Sequence, residues 1–434
     1  MGNFAMISLL ATAVGTMFGQ NQPVAFLGAR IIDGTGASPV TNGVLIVRQG
    51  KIEAVGPADK VRVPAGAARM ELAGKTIMPG MINAHGHVGE TKGLRSGPQF
   101  YTEENVLTQL KLYAAYGVTT VWSLGGDTEL AMRLRDGQSD LALRRARIYA
   151  AGPVVVADTP QAARKMVDQV AAMKADVVKI RVDDNLGTGR KMPKPVYEAV
   201  LDQAKHHGLR VAAHIYYLDD AKSLLDGGVG FIAHSVRDKE VDQGAIAMFK
   251  KRDVCLCPTL TREVSTFVYE STPDFFQDPF FLRHADPAVL RDLQDPKRQQ
   301  QVRESKSAQQ YKLALEMASR NLKKLVDAGV RIAFGTDTGP PARFQGYFEH
   351  MELELMAKAG LTPMQILKSA TGDAARCMNL ARQVGTLEPG AWADFLVLAD
   401  NPLDDIKNTR TLEQVWIAGN RVEIPAAASA PAGN

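Results

Sequence analysis

Ile77-Met78-Pro79-Gly80-Met81-Ile82-Asn83-Ala84-His85-Gly86-His87 is an apolar run that ends in two histidines one residue apart. In an extended segment alternate side chains share a face, so His85 and His87 can grip one cation together, and Gly86 lets another backbone approach closely. A His-x-His pair is weak evidence alone. The stretches downstream decide the fold. Short apolar runs recur at 118–122, 148–150, 177–180, 211–214, 231–234, 254–256 and 332–334, with amphipathic helical stretches such as 193–207 and 305–328 between them. With the run 77–81 this makes eight strands, each followed by a helix or loop. Repeated βα units imply a parallel sheet with covered faces, and eight of them favour closure. The expected fold class is therefore α/β, a (β/α)8 TIM barrel over residues 77–380.

Outward from that core the texture changes. Residues 22–76 are cut into short apolar runs by turns such as Asp33-Gly34-Thr35-Gly36 and Gln49-Gly50-Lys51, and residues 381–424 repeat the pattern. Ala418-Gly419-Asn420-Arg421 reads as a hairpin turn. Neither end has strands enough to bury a sheet alone, so both are expected to meet in one small β-sandwich domain. Residues 261–301 are polar, with several Pro and aromatic residues, and read as an insertion at the barrel's active face. Residues 1–21 contain an apolar run of signal-peptide length with no preceding Lys or Arg and a poor cleavage pattern. They read as an export signal or a disordered extension, which makes the location periplasmic or secreted in the first case and cytoplasmic in the second. The Ala/Pro/Gly-rich tail at 425–434 is expected to be disordered.

Composition narrows the class. In 434 residues, 45% are hydrophobic and 23% charged, the balance of an ordinary globular chain. Lys and Arg number 51 against 47 Asp and Glu, a net charge of +4 with no basic run, which gives no reason to expect nucleic acid as a partner. No segment reads as a membrane span. Three cysteines exclude a fully paired disulfide framework. Cys255 and Cys257 alternate along one strand and read as small buried side chains rather than metal ligands, and Cys377 sits in a helical stretch.

Chemistry gathers at the strand ends. Besides His85 and His87, Lys179 ends the fourth strand, His214 the fifth and His234 the sixth. Asp337, in Gly335-Thr336-Asp337-Thr338-Gly339, ends the eighth. In a parallel barrel these ends converge on one face. Neutral imidazole and carboxylate suit zinc and similar divalent ions. Neither a Gly-x-Ser-x-Gly elbow nor a Walker-type loop occurs.

This order of His-x-His, Lys, His, His and Asp on successive strands resembles the amidohydrolase superfamily, within it the imidazolonepropionase-like branch with prolidase-type dipeptidases and ochratoxinase-like amidases. The likeness includes the entry at 75–85 and the exit at 385–395. It implies a binuclear centre of two divalent metal ions, zinc by preference. His85, His87 and Asp337 would hold one ion and His214 and His234 the other, with Lys179 carbamylated by CO2 to N6-carboxylysine as the bridge. It further implies hydrolysis of an amide or peptide bond by a metal-bridged hydroxide, with Asp337 as catalytic general base and then acid. Homo-oligomers are widespread among such proteins, which points towards self-association.

The substrate is the thinnest part of the reading. Tyr216 and Tyr217 follow His214, Arg237 follows His234, and Arg181 follows Lys179. Each could bind a substrate carboxylate, although Arg237 could equally pair with Asp238. The expected substrate is a small molecule such as a dipeptide or N-acyl amino acid. Rival readings are a cyclic-amide or lactone hydrolase, a mononuclear deaminase and an inactive structural relative. Deaminases of this superfamily carry Glu three residues after the fifth-strand His, where this chain has Tyr217.

Overall fold

The computed structural model describes residues 22–424, so the expected leader at 1–21 and tail at 425–434 lie outside the described residues. Both ends of the described chain contribute to one eight-stranded sheet. Its order is Asn420–Val422, Leu412–Ile417, Phe395–Leu398, Thr76–Pro79, Val24–Ile31, Val40–Arg48 and Lys51–Pro57, and Ala68–Glu71 also pairs with Val24–Ile31. The seam between the two ends is Thr76–Pro79, which runs antiparallel to Phe395–Leu398 with Ile77 opposite Val397. The strands of the two chain ends are thus hydrogen-bonded into one continuous sheet. Val24–Ile31 pairs with Ala68–Glu71 along its first half and with Thr76–Pro79 only at Arg30 and Ile31. The fold brings Phe26 edge-on to Phe395 and to Trp416, with ring centroids 5.0 Å apart in each case. At the far edge, Ala418 (φ 49°) and Gly419 (φ 69°) make the two-residue left-handed turn that a tight hairpin needs.

The seam also corrects the first barrel strand. The run 77–81 divides at Gly80: Thr76–Pro79 belongs to the terminal sheet and Met81–Gly86 starts the parallel part. Met81–Gly86, Val118–Ser123 and Arg147–Ala150 form a three-stranded parallel sheet. Val178–Arg181, Val211–His214, Phe231–Ala233 and Cys255–Cys257 form a four-stranded one. Val155 N donates to Lys179 O at 2.8 Å, joining the two on one side. On the other side the expected strand at 332–334 forms only an isolated bridge, yet its surroundings bond both ways. Ala333 N donates to Leu256 O at 2.9 Å, Ala84 N to Phe334 O at 2.8 Å, and His87 N to Thr338 O at 2.7 Å. Ile82, Trp122, Ala212, Phe231 and Ala333, all from or beside these strands, belong to one buried cluster, and strands covered on both faces read as continuous apolar runs.

Helix Gly372–Cys377 packs against the same cluster and supplies a link the sequence did not suggest. Cys255, read as a simple buried side chain, forms a disulfide with Cys377 across 122 residues, while Cys257 stays free and buried.

The insertion is held by its aromatic residues and capped by a repeated Asp-Pro step. Asp278, Asp286 and Asp295 each accept a backbone N–H at a helix start with Pro at the first helical position, beginning Pro279–Leu282, Pro287–Leu293 and Pro296–Glu304. Phe275 and Phe281 meet edge-to-face, and both rings contact Tyr347, fastening the segment to helix Tyr347–Lys358. Between the parallel part and the terminal sheet, buried Arg147 makes a two-pronged bond to Asp394 at 2.6 and 3.2 Å. Among the described residues no helix is long and apolar enough to cross a membrane.

Candidate metal centre

His85 and His87 leave the first parallel strand on the same side, with ring centroids 5.7 Å apart. Gly86 between them is required by packing, since a Cβ there would lie 2.8 Å from the Tyr113 hydroxyl and 2.9 Å from Val121. Asp337 reaches across from the segment after Phe334. Its Oδ1 lies 2.9 Å from His87 Nε2 and 3.5 Å from His85 Nε2. Side-chain donor atoms of these three residues all fall within 4.8 Å of one another. Asp337 (φ 60°) and His234 (φ 104°) both hold left-handed backbone, which costs energy in a non-glycine residue and clusters at functional sites.

A buried polar network holds the two strand ends in register. Glu349 Oε1 accepts from Asn83 Nδ2 and Thr336 Oγ1, each at 2.7 Å, and from Thr338 Oγ1 at 2.6 Å. Asn83 Oδ1 in turn accepts from His85 N at 2.9 Å. Fully satisfied networks of this kind rigidify the groups they touch.

The remaining strand ends face the same space. Lys179 Nζ lies 3.3 Å from His85 Nε2, and burial pulls its ammonium down to about 8. The His234 ring is 4.6 Å from that of His85 and 4.1 Å from that of His214. His234 Nδ1 bonds Thr259 Oγ1 at 2.6 Å, while its buried Nε2 has no hydrogen-bond partner among the described residues. His214 Nε2 lies 3.1 Å from Asp183 Oδ2, which leaves its Nδ1 for a ligand. Burial lowers the pKa of His85 and His234 well below the ordinary value and takes His214 to about 3, so all three rings are neutral, the form that binds metal. Orphaned nitrogen, neutral imidazoles and a carboxylate fit a divalent cation.

A cavity of about 210 Å³ contains all six of these side chains, with Arg181, Arg262 and Arg343 on its wall. Of the four residues singled out for substrate, only Arg181 lines it. Arg237 is fully buried to one side, 3.0 Å from Glu263 Oε1 and stacked on Tyr216 at 4.8 Å. Its expected rival partner, Asp238, instead accepts from Leu218 N at 2.9 Å. Tyr216 packs with Tyr311, and the Tyr217 hydroxyl donates to Asp184 Oδ1 at 2.8 Å. The physical reason is crowding: the helix Leu260–Phe267 inserts Glu263 beneath Arg237 and presents Arg262 to the cavity instead. Arg343 Nη1 donates to Asp337 Oδ2 at 2.6 Å. Asp183, Arg262 and Arg343 had no signal in strand periodicity, because all three lie outside the regular strands.

The chain matches the amidohydrolase family over residues 76–422. It belongs to that family. The chain is a hydrolase acting on carbon–nitrogen amide bonds, metal-dependent as is typical of the family. Ochratoxinase of Aspergillus niger is 23% identical over 454 residues, covering 91% of this chain and 85% of that protein. Among solved structures, a putative prolidase from Bifidobacterium longum superposes with a TM-score of 0.74 at 26% identity, covering 95% of this chain and 97% of the other. A Xaa-Pro dipeptidase with bound methionine in the active site gives 0.73 at 20% identity, covering 93% and 100%. These amidohydrolase neighbours carry a TIM-barrel domain beside a smaller one, the architecture of this chain.

Proposed function

We propose that this amidohydrolase cleaves an amide or peptide bond in a small molecule, such as a dipeptide or N-acyl amino acid, using two divalent metal ions, zinc by preference. In this reading the two parallel sheets and the segment 331–338 are one (β/α)8 barrel, and the centre sits where its strands end. His85, His87 and Asp337 would hold one ion and His214 and His234 the other, and a carbamylated Lys179 would supply a shared anionic ligand. The observation that carries the proposal is the position of Lys179, a buried amine 3.3 Å from His85 Nε2. A free ammonium there would repel a cation, whereas a carbamate is an anionic group with two oxygens.

Bound ions of this kind lower the pKa of water and polarise a carbonyl. The chain's own groups do the rest. His85, His234 and His214 stay neutral and so remain available as ligands. The Asp337 carboxylate, oriented by Arg343, takes the proton of the attacking water and delivers it to the departing nitrogen. The names of the relatives, a dipeptidase and an ochratoxinase, agree with small amides as substrates. At the position where a deaminase would need a carboxylate, the Tyr217 hydroxyl is engaged with Asp184.

A hydrolysis screen of dipeptides and N-acyl amino acids on the zinc-loaded protein tests this. Amine release by the wild type, falling by about 10²–10⁴-fold in Asp337→Asn, is expected. No release from any compound, or equal release by the variant, overturns it.

A further inference from the structure

The opposite end of the parallel strands carries a second cavity. Lys111 lies a turn before the end of helix Glu103–Ala115, which leads into strand Val118–Ser123, and Arg144 and Arg145 come just before strand Arg147–Ala150. These residues stand where the strands begin, whereas His85 and His87 stand where the first of them ends. With Arg133, from the last turn of helix Glu129–Asp136, they line a cavity of about 330 Å³. Among the described residues Asp140 is the one carboxylate on its wall, and it is occupied in accepting from Ala142 N at 2.8 Å. None of the four cations makes an ion pair among the described residues. The arginines next to them in sequence do: Arg135 pairs with Asp136 and Asp176, and Arg147 with Asp394. Arg145 is buried, 8% exposed, and donates Nη1 to Ala146 O at 2.9 Å and Nη2 to Leu134 O at 2.8 Å. Both acceptors are uncharged. Burial, and then the neighbouring Arg147, pull its pKa down to about 10, so it is still a cation at neutral pH. A buried charge without a counter-ion is costly. The end of helix Glu129–Asp136 supplies roughly half a negative charge, which offsets only part of the surplus.

The loop that bears these groups is fixed by its own bonds. Gln138 O accepts from Arg147 Nη1 at 2.6 Å and Gln138 Oε1 from Ile148 N at 3.0 Å, while Asn420 of the terminal sheet donates Nδ2 to Leu141 O at 2.6 Å. A loop already ordered loses little entropy when a ligand arrives. Guanidinium forks match the oxygens of a phosphate in pairs, and a dianion offsets more of the surplus charge than a single carboxylate does. We infer that this cavity binds the phosphate group of a soluble small molecule, held by Arg133, Arg144 and Lys111, with Arg145 adding a fixed buried charge. The site shares no residue with the candidate metal centre, and the inference stands independently of the hydrolase reading.

Equilibrium dialysis of radiolabelled inorganic phosphate against the zinc-loaded protein, at constant ionic strength, counts the bound ions. Arg133 and Arg144 are exposed, so the double variant Arg133→Gln/Arg144→Gln leaves the core untouched. As a control, Lys250→Gln/Lys251→Gln removes the same charge from the exposed last turn of helix Gln243–Arg252. Any phosphate at the zinc ions is held alike by all three proteins and cancels from the comparison. The wild type and the control are expected to bind one further phosphate per chain, which glycerol phosphate displaces. The Arg133/Arg144 variant is expected to bind it about tenfold more weakly or not at all. Equal binding by all three proteins, a loss shared by the control, or a phosphate that glycerol phosphate fails to displace overturns the inference. So does capture by phosphatidic acid vesicles where soluble phosphate does not bind, since the ligand would then be a membrane surface.

Discussion

The Asp183 carboxylate has no exposed surface and divides its oxygens between Arg181 Nε at 2.8 Å and His214 Nε2 at 3.1 Å. The bonds to His214 and Arg181 outweigh burial and hold its pKa below the ordinary range, so it is an anion throughout the working pH. An anion on Nε2 fixes the proton there and turns Nδ1 towards the cavity, which is how a partner behind a ligand sets its tautomer. Asp183→Ala should therefore weaken zinc binding by about 10–100-fold, read by competition with a chromophoric chelator. Unchanged affinity would mean that His214 needs no such support. Nothing in the periodicity of 177–185 marks this residue, because the contact forms only when the loop after Arg181 turns back over the neighbouring strand.

At the scale of elements, helix Leu260–Phe267 brings Arg262 to the site, and Glu352 from helix Tyr347–Lys358 holds its start. Glu352 accepts from Leu260 N at 2.8 Å, Thr261 N at 2.7 Å and Thr261 Oγ1 at 2.8 Å. Burial pushes its carboxyl up to about 7 from 4.5, despite those donors. A carboxyl whose folded pKa is raised binds its proton more tightly in the folded state. Its contribution to stability is complete below the unfolded value of 4.5 and falls as pH rises towards about 7. Urea unfolding at pH 5 and pH 8 should show Glu352→Gln losing less stability over that interval than the wild type, by up to roughly 3 kcal/mol. An identical pH slope in both proteins would contradict the assignment. The Cys255–Cys377 bond belongs to this scale as well, since it ties strand Cys255–Cys257 to helix Gly372–Cys377. Closing so long a loop stabilises by about 2–5 kcal/mol, so reductant should lower the urea midpoint of the wild type and leave Cys377→Ser unaffected. A wild-type midpoint insensitive to reductant would argue against the bond.

Across the whole molecule, one buried ion pair couples the terminal sheet to the parallel strands. Arg147 and Asp394 side chains are each 1% exposed, and Arg147 also stacks on Trp392 at 4.3 Å. Removing one partner strands a buried charge, so Asp394→Ala should cost about 3–5 kcal/mol in a denaturant titration; a loss within experimental error would show that the two parts stand independently. This long-range design was partly readable in the chain. The alternation of apolar runs exposed the parallel strands, and His85, Lys179, His214, His234 and Asp337 stood out because each follows such a run. The terminal strands were readable as one composite domain built from both ends, but the seam of Thr76–Pro79 against Phe395–Leu398 was not, since pairing between distant strands leaves no local mark. Arg262, Arg343 and the disulfide were illegible for the same reason: each depends on segments that meet only in three dimensions, as does the Glu263 carboxylate that pairs with Arg237 in place of a substrate or Asp238. The most direct test of the binuclear centre is the number of zinc ions per chain, measured by elemental mass spectrometry on the wild type beside Lys179→Ala after loading and dialysis in bicarbonate. Two ions in the wild type and one or fewer in the variant are expected; one ion in both proteins, or two in both, would contradict a bridge at Lys179.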